Sequence, residues 1–185
     1  CADEFLTPES AAICARERAA GRAPVTMANA ERAILARLRA MREEDFAPFD
    51  GGGEGLYHRL YDAVQRETTI DGILAAAKSK RYAYARLRRL LLAAYLGVTP
   101  EDIPQRVPYL RVLACNARGR EVLRCMKTTA AAPVLTRSAD VRRLDAGAQR
   151  LFALTARAEE QYVLAYPDLA AARPGSAWTT DPVIL

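Results

Sequence analysis

The 185-residue sequence predicts a mainly α-helical fold with a small strand–helix–strand insertion. Three observations point there. Alanine, leucine and arginine dominate the usage, and all three favour helix. Most apolar residues recur three or four positions apart, which gives each helix one face to bury. Only "YLRVLACN" (109–116) and "APVLT" (132–136) are short, apolar and β-compatible, with the helical stretch "ARGREVLRCMK" between them. Hydrophobic residues make up 51% and charged residues 26%, a globular balance in a chain long enough to bury a core.

The first helix is expected from Pro8 to Ala20. Thr7 caps it, Pro8 takes the first turn and Gly21 stops it, with Ala12, Ile13, Ala15 and Ala19 facing inward. A second helix, Thr26 to Arg42, places Ala30, Ile34, Leu38 and Met41 on one buried face and leaves Glu31, Arg32, Arg39 and Arg42 largely elsewhere. "EEDFAPFDGGGEG" then reads as a hinge, because its acids, proline and three consecutive glycines disfavour regular structure. It divides the chain into an N-terminal helical linker segment, 1–50, and a helical domain, 51–185. "EGLYHRLYDAVQRET" forms a helix with Leu56, Leu60 and Val64 inward beside Tyr57 and Tyr61, so that His58 and Arg59 face solvent or a partner. "TIDGILAAAKS" is a short helix capped by Thr69 or Asp71. The next helix runs from 81 to Leu96 with Gly97 as its C-cap, and "TPEDI" adds a turn. A long helix from Ala146 to Tyr166, ended by Pro167, packs Leu151, Leu154, Ala158, Tyr162 and Ala165. The tail "ARPGSAWTTDPVIL" is irregular and folds back to shelter Trp178 and Ile184.

The net charge of +5 is unevenly spread. Residues 72–127 hold twelve Lys or Arg against three acids, a local +9, and the remainder carries −4. Such asymmetry marks a surface for polyanions. Its centre is "KSKRYAYARLRRLLL" (78–92), with six basic residues and no acid in the first twelve positions. At about 100° per residue, Ala83, Tyr84, Leu87, Leu90, Leu91 and Ala94 gather on a core side, Arg81, Arg88 and Arg89 lie opposite, and Tyr82 and Arg86 flank them. Lys78, Lys80 and Arg81 crowd the helix N-terminus, where backbone N–H groups already attract anions. A solvated face of an arginine-rich protein has the same composition. A second series, Arg106, Arg111, Arg118, Arg120, Arg124 and Lys127, favours a binding patch instead. Tyr82, Tyr84 and Tyr109 suit either a core or the stacking of unpaired bases.

Catalysis within this chain finds little support. His58 is the one histidine, and no two of Cys1, Cys14, Cys115 and Cys125 stand two to four residues apart. The cysteines are therefore expected as free, buried thiols, with no metal. A phosphate loop at the triple glycine fails, because no Gly-Lys-Ser/Thr follows and Glu54 would repel a phosphate. No apolar run approaches the roughly 18–20 residues of a membrane span, and the N-terminus lacks the basic start and apolar middle of a secretory signal. A cytoplasmic protein without a membrane partner is expected.

"EGLYHRLYDA", "KSKRYAYARLRRLLL" and "YLRVLACNARGREVLRCMK" with "APVLT", in this order, resemble the C-terminal region of the bacterial tRNA(Met) cytidine acetate ligase family, and "GRAPVTMANAERAILARLR" is similar to its linker. The resemblance covers nearly the whole chain. It implies an N-terminal nucleotidyltransferase-like domain with an HxGH-type motif, where ATP and acetate form acetyladenylate for the wobble cytidine of elongator tRNA(Met). That motif is not in this sequence, so the resemblance implies a chain without the catalytic domain, with no catalytic, cofactor or metal residue of its own. Its partners would be tRNA and its own N-terminal catalytic domain. RNA contact is implied at Lys80, Arg81, Tyr82, Arg86 and Arg89, with Glu54, Gly55, Leu56 and Arg59 before them. Arg111, Asn116 and Gly119 also match, the last two as turn-formers. Hydroxyl residues usually stand where this chain has Ala83 and Ala85, and a glutamine where it has Arg88, which weakens the case for hydroxyl contacts and adds charge. The full RNA-binding set expected is Arg59, Lys78, Lys80, Arg81, Tyr82, Arg86, Arg88, Arg89 and Arg111. The alternative is a helical protein-interaction or homo-oligomerisation domain, the basic patch of one copy pairing with the acidic remainder of another.

Overall fold

Thr7 opens the first helix, α1 (Pro8–Ala19), by accepting the backbone N–H of Ser10 on its hydroxyl at 3.3 Å. The computed structural model describes residues 5–50 and 55–185, and it is mainly helical, as the sequence predicts. By their contacts the residues divide into two compact units, Cys1–Pro100 with Gln161–Pro174, and Glu101–Glu160 with Gly175–Leu185. Neither border falls at residue 50.

In the first unit, the expected inner face of α1 buries nothing, and Ile13 is 50% exposed. A stripe of alanines offers too little apolar area to hold a helix against a core. At the C-terminal end of α1, Arg22 donates to Glu17 at 2.7 Å, and this hydrogen bond holds the Glu17 carboxyl below its ordinary pKa. Helix α2 (Glu31–Arg39) starts later than Thr26, because Thr26 and Asn29 bond to each other and to the backbone in a turn that competes with helix. Its buried face is the expected one: Ala30, Ile34, Leu38 and Met41 all lie in the core.

The segment expected as a hinge is ordered as far as residue 50. A 3₁₀ turn (Glu43–Phe46) leads into α3 (Ala47–Asp50), pinned by the fully buried Phe46. The triple glycine and Glu54 lie outside the described residues. Helix α4 (Leu56–Arg66) buries Leu56, Leu60, Ala63 and Val64, with Tyr57 and Tyr61 packed at the edge. Helix α5 (Ile70–Ala77) is capped by Thr69, whose hydroxyl accepts from Gly72, while Glu31 of α2 accepts the N–H of Ile70 at 2.9 Å. Helix α6 (Tyr84–Leu96) drives Leu87, Leu90, Leu91, Ala94 and Tyr95 into the same core and ends on Gly97 at φ 68°.

Two positions in this unit carry predictions. Gly21 sits at φ +70°, its carbonyl accepts the N–H of Asp168, and an added Cβ would lie 2.4 Å from the Asp168 Cβ. Gly21→Ala is expected to cost about 1–3 kcal/mol in urea unfolding. Tyr95 is buried with its hydroxyl unpartnered among the described residues, and burial raises its pKa above the ordinary 10.0. Tyr95→Phe removes an unsatisfied polar atom and is expected to leave stability unchanged or raise it by about 1 kcal/mol. The neutral phenol is favoured in the folded state, so its contribution is present below pH 10 and disappears as the pH rises through the raised folded value. Tyr95→Phe should therefore unfold at higher pH than the parent in an alkaline titration followed by circular dichroism.

The second unit holds the predicted strand–helix–strand. Strand β1 (Leu110–Arg111) pairs in parallel with β3 (Val134–Leu135), with α7 (Ala117–Thr129) in the crossover between them. The single strand expected over 109–116 is broken, and its second half, β2 (Ala114–Cys115), pairs in parallel with β4 (Val183–Ile184) from the tail. The tail does fold back, through the short α9 (Ser176–Thr179), but Trp178 stays 47% exposed, edge-on to Phe152 at 4.8 Å, and Ile184 is also exposed.

Helix α8 (Ala146–Tyr162) buries Ala148, Phe152 and Ala156 rather than the expected Leu151, Leu154, Ala158 and Tyr162; it ends before the expected Tyr166, and Ala165, buried as expected, lies in the 3₁₀ turn that follows (Val163–Ala165). The helix is rotated so that one aromatic ring, Phe152, fills the centre among Leu135, Val141, Leu144 and Ala177. No residue of α7 is buried. Cys14 and Cys115 are half-buried free thiols and Cys125 an exposed one, so none of them is the buried thiol expected; Cys1 lies outside the described residues. Among the described residues no helix is long and apolar enough to cross a membrane.

Candidate nucleic-acid interface

The basic stretch does not enter its helix where periodicity places it. Ser79 accepts the backbone N–H groups of Arg81 and Tyr82 on its hydroxyl, each at 3.3 Å, and the local turn displaces the helix start to Tyr84. Residues 81–83 are thus out of phase with the helical plot. Tyr82, expected on the flank and offered as an RNA contact, is 7% exposed in the hydrophobic core, so it cannot stack on a base. Tyr84 and Ala83, expected in the core, are exposed, Tyr84 at 44%. Tyr109 is packed half-buried against the core of the second unit.

The expected cations separate into those engaged in the fold and those that face solvent. Arg86 is half-buried, its Cζ lies 5.4 Å from the centre of the Tyr82 ring, and its Nη2 stands 3.6 Å from Oδ1 of Asp50. It is an internal partner of a buried carboxylate, not an open phosphate contact. Arg59 donates through Nε to the carbonyl of Ala77 at 3.0 Å, where it closes the C-terminal end of α5. In the second unit, Arg111 reaches Glu159 at 3.3 Å and the Ala177 carbonyl at 3.0 Å and lies over the Phe152 ring, so its role there is to tie β1 to α8 and α9. Asn116 caps α7, accepting the Gly119 N–H at 2.9 Å, as a turn-former should.

Lys80, Arg81, Arg88 and Arg89 remain at the surface of the first unit, and Lys78 is half-buried beside them with its Nζ on the Ser79 carbonyl at 2.6 Å. Lys80, Arg88 and Arg89 have no carboxylate within ion-pair distance among the described residues. Arg81 lies over the Tyr82 ring at 6.0 Å and has further interactions. The helix beneath them is rigid, because the same turns that carry Arg88 and Arg89 outward carry Leu87, Leu90 and Leu91 into the core. The first turn of α6 contains no acid, and Ala83 at its N-cap offers no side-chain acceptor. Exposed cations thus stand on and just before a helix whose N-terminus has no capping side chain and no acid, a combination that suits an anion. The other basic series, on α7, is exposed at Arg118, Arg120, Arg124 and Lys127 and belongs to the second unit.

The sequence reading missed Asp50, which is 6% exposed. Its Oδ2 accepts the N–H groups of Leu56 at 3.0 Å and Tyr57 at 3.4 Å, capping α4, whose own N-cap residue, Gly55, has no side chain. The clue was available: an acid stands just upstream of a helix that starts with glycine. Among the described residues no group of three His, Cys, Asp or Glu could hold a metal ion.

Comparison with known proteins agrees with the fold and names its relatives. The sequence model of the HIGH Nucleotidyl Transferase family matches residues 2–175. A tRNA(Met) cytidine acetate ligase of Syntrophomonas wolfei is 28% identical over 187 residues, covering 96% of this chain and 45% of its own length. One from Kosmotoga olearia is 36% identical over 131 residues, covering 69% of this chain and 31% of its own. The chain thus spans about half or less of the curated relatives it matches. In structure it is similar to Thermotoga maritima TmcAL, in the apo form (TM-score 0.89) and bound with alpha-thio ATP (TM-score 0.90). Identity is 25% in both cases, covering 97% of this chain and 46% or 47% of that one. The family match lies on the chain itself, almost end to end, and so gives no support to the expectation that the nucleotidyltransferase part of the family is missing from it. The chain belongs to the HIGH Nucleotidyl Transferase family, and within it is similar to tRNA(Met) cytidine acetate ligases.

Proposed function

We propose that this chain is the tRNA-holding, C-terminal part of an ATP-dependent tRNA(Met) cytidine acetate ligase, the enzyme that acetylates the wobble cytidine of elongator tRNA(Met). The observation that carries this reading is the set of exposed, unneutralised cations at Lys80, in the turn before α6, and at Arg88 and Arg89 on α6, a helix anchored in the core. Phosphate contacts of this kind position an RNA without reading its sequence. The names of the relatives supply the tRNA and the reaction. His58 is the one histidine of this sequence, so it holds no HxGH-type motif, which supports the reading that the ATP and acetate chemistry is carried by other residues of the enzyme. The N-terminal catalytic domain is then the chain's intramolecular partner.

Fluorescence anisotropy of the chain with elongator tRNA(Met) over a salt series tests the reading. The logarithm of the binding constant should fall linearly with the logarithm of salt concentration, with a slope of roughly −3 or steeper. Absence of binding at low salt, or a flat salt response, overturns it. Incubated with ATP and acetate, the chain alone should form no adenylate, and turnover would move the chemistry onto these residues.

A further inference from the structure

Three tyrosines lie in or beside the basic stretches, and the structure separates them by environment. Tyr82 is in one core and Tyr109 against another, whereas Tyr84 is at the surface with 44% of its area exposed. It is the first residue of α6, and the extended backbone of Ala83 (φ −74°, ψ 150°) turns it away from the core that receives Leu87. No other ring packs on it among the described residues, and its hydroxyl has no hydrogen-bond partner among them. Lys78 Nζ lies 5.8 Å from the ring centre and Arg88 Cζ 6.0 Å, the arginine one helical turn further on.

We infer that Tyr84 is a stacking platform for an unpaired nucleobase of the bound RNA, with Lys78 and Arg88 placed to hold the phosphates beside that base. The inference rests on the tRNA-holding reading and deepens it, because phosphate contacts alone do not distinguish a loop from a duplex. A base within a duplex already stacks on its neighbours, while a base splayed from a loop exposes its face and gains by covering an aromatic ring. Ring and cations together therefore select single-stranded RNA at this point of the surface.

The test compares the full chain with Tyr84→Ala and Tyr84→Phe, using elongator tRNA(Met) and a loop-free RNA duplex of similar length as probes. Tyr84→Ala should bind the tRNA about tenfold more weakly, Tyr84→Phe should match the parent, and duplex binding should not change in either. The salt slope should stay constant across all three, since no cation is removed. Equal tRNA affinity in parent and Tyr84→Ala overturns the inference and leaves the tRNA-holding reading intact. An equal loss on tRNA and duplex also overturns it, by showing that Tyr84 only shapes the start of the helix. If the parent binds neither RNA, both readings fall together.

Discussion

Asp50→Ala is expected to lose about 2–4 kcal/mol of stability in urea unfolding, the largest effect of any single side chain outside the apolar core. Three groups depend on this buried carboxylate. The N–H groups of Leu56 and Tyr57 would be left without their acceptor at the start of α4, and the half-buried Arg86 guanidinium would lose the anion 3.6 Å away. Removing one member of a buried pair costs more than the pair contributes, because the partner remains desolvated. Arg86 is partly open to water, which keeps the expectation below the upper end of the usual range. Asp50→Asn retains an oxygen for the two N–H groups while giving up the charge, so about half of the loss should return. A change of less than about 0.5 kcal/mol in Asp50→Ala would show that α3, α4 and α6 are joined by their apolar contacts alone.

The second large effect is on binding. Replacing Lys80, Arg88 and Arg89 together by alanine should weaken tRNA binding by roughly 100-fold at low salt, taking each exposed phosphate contact as about 1 kcal/mol. The salt slope should become shallower by roughly 2–3, since each lost contact removes about 0.7 to 0.9 from it. The three side chains are exposed and bury nothing, so the variant should melt with the parent. An unchanged slope would place the RNA on another surface. A variant of Arg86 is a poorer probe, because it disturbs the ion pair with Asp50 and mixes lost stability with lost binding.

In α2, α4 and α6, helix faces were legible from large apolar residues that recur in phase. Ile34, Leu38, Leu56, Leu60, Leu87 and Leu91 are all buried as their spacing predicts. The phase failed where side chains were small or where a hydroxyl competed for the backbone. Alanines could not hold α1 against a core, Ser79 displaced the start of α6, and in α8 one phenylalanine outweighed two leucines, Leu151 and Leu154. The candidate site suffered most from the second cause. A shift of a few residues at the N-terminus of α6 exchanged the environments of Tyr82 and Tyr84, one of which had been expected to read RNA and the other to fill the core.

By itself the sequence determined a helical chain, a concentration of positive charge between residues 72 and 127, and a likeness to tRNA-modifying ligases; composition, periodicity and motif order need no coordinates. Only the tertiary structure decided which cations are available. Arg59, Arg86 and Arg111 are drawn into carbonyls and carboxylates far away in the sequence, while Lys80, Arg88 and Arg89 are left facing water. The physical reason is that a guanidinium's partner is chosen by distance in space, and that distance is set by packing between helices rather than by position along any one of them.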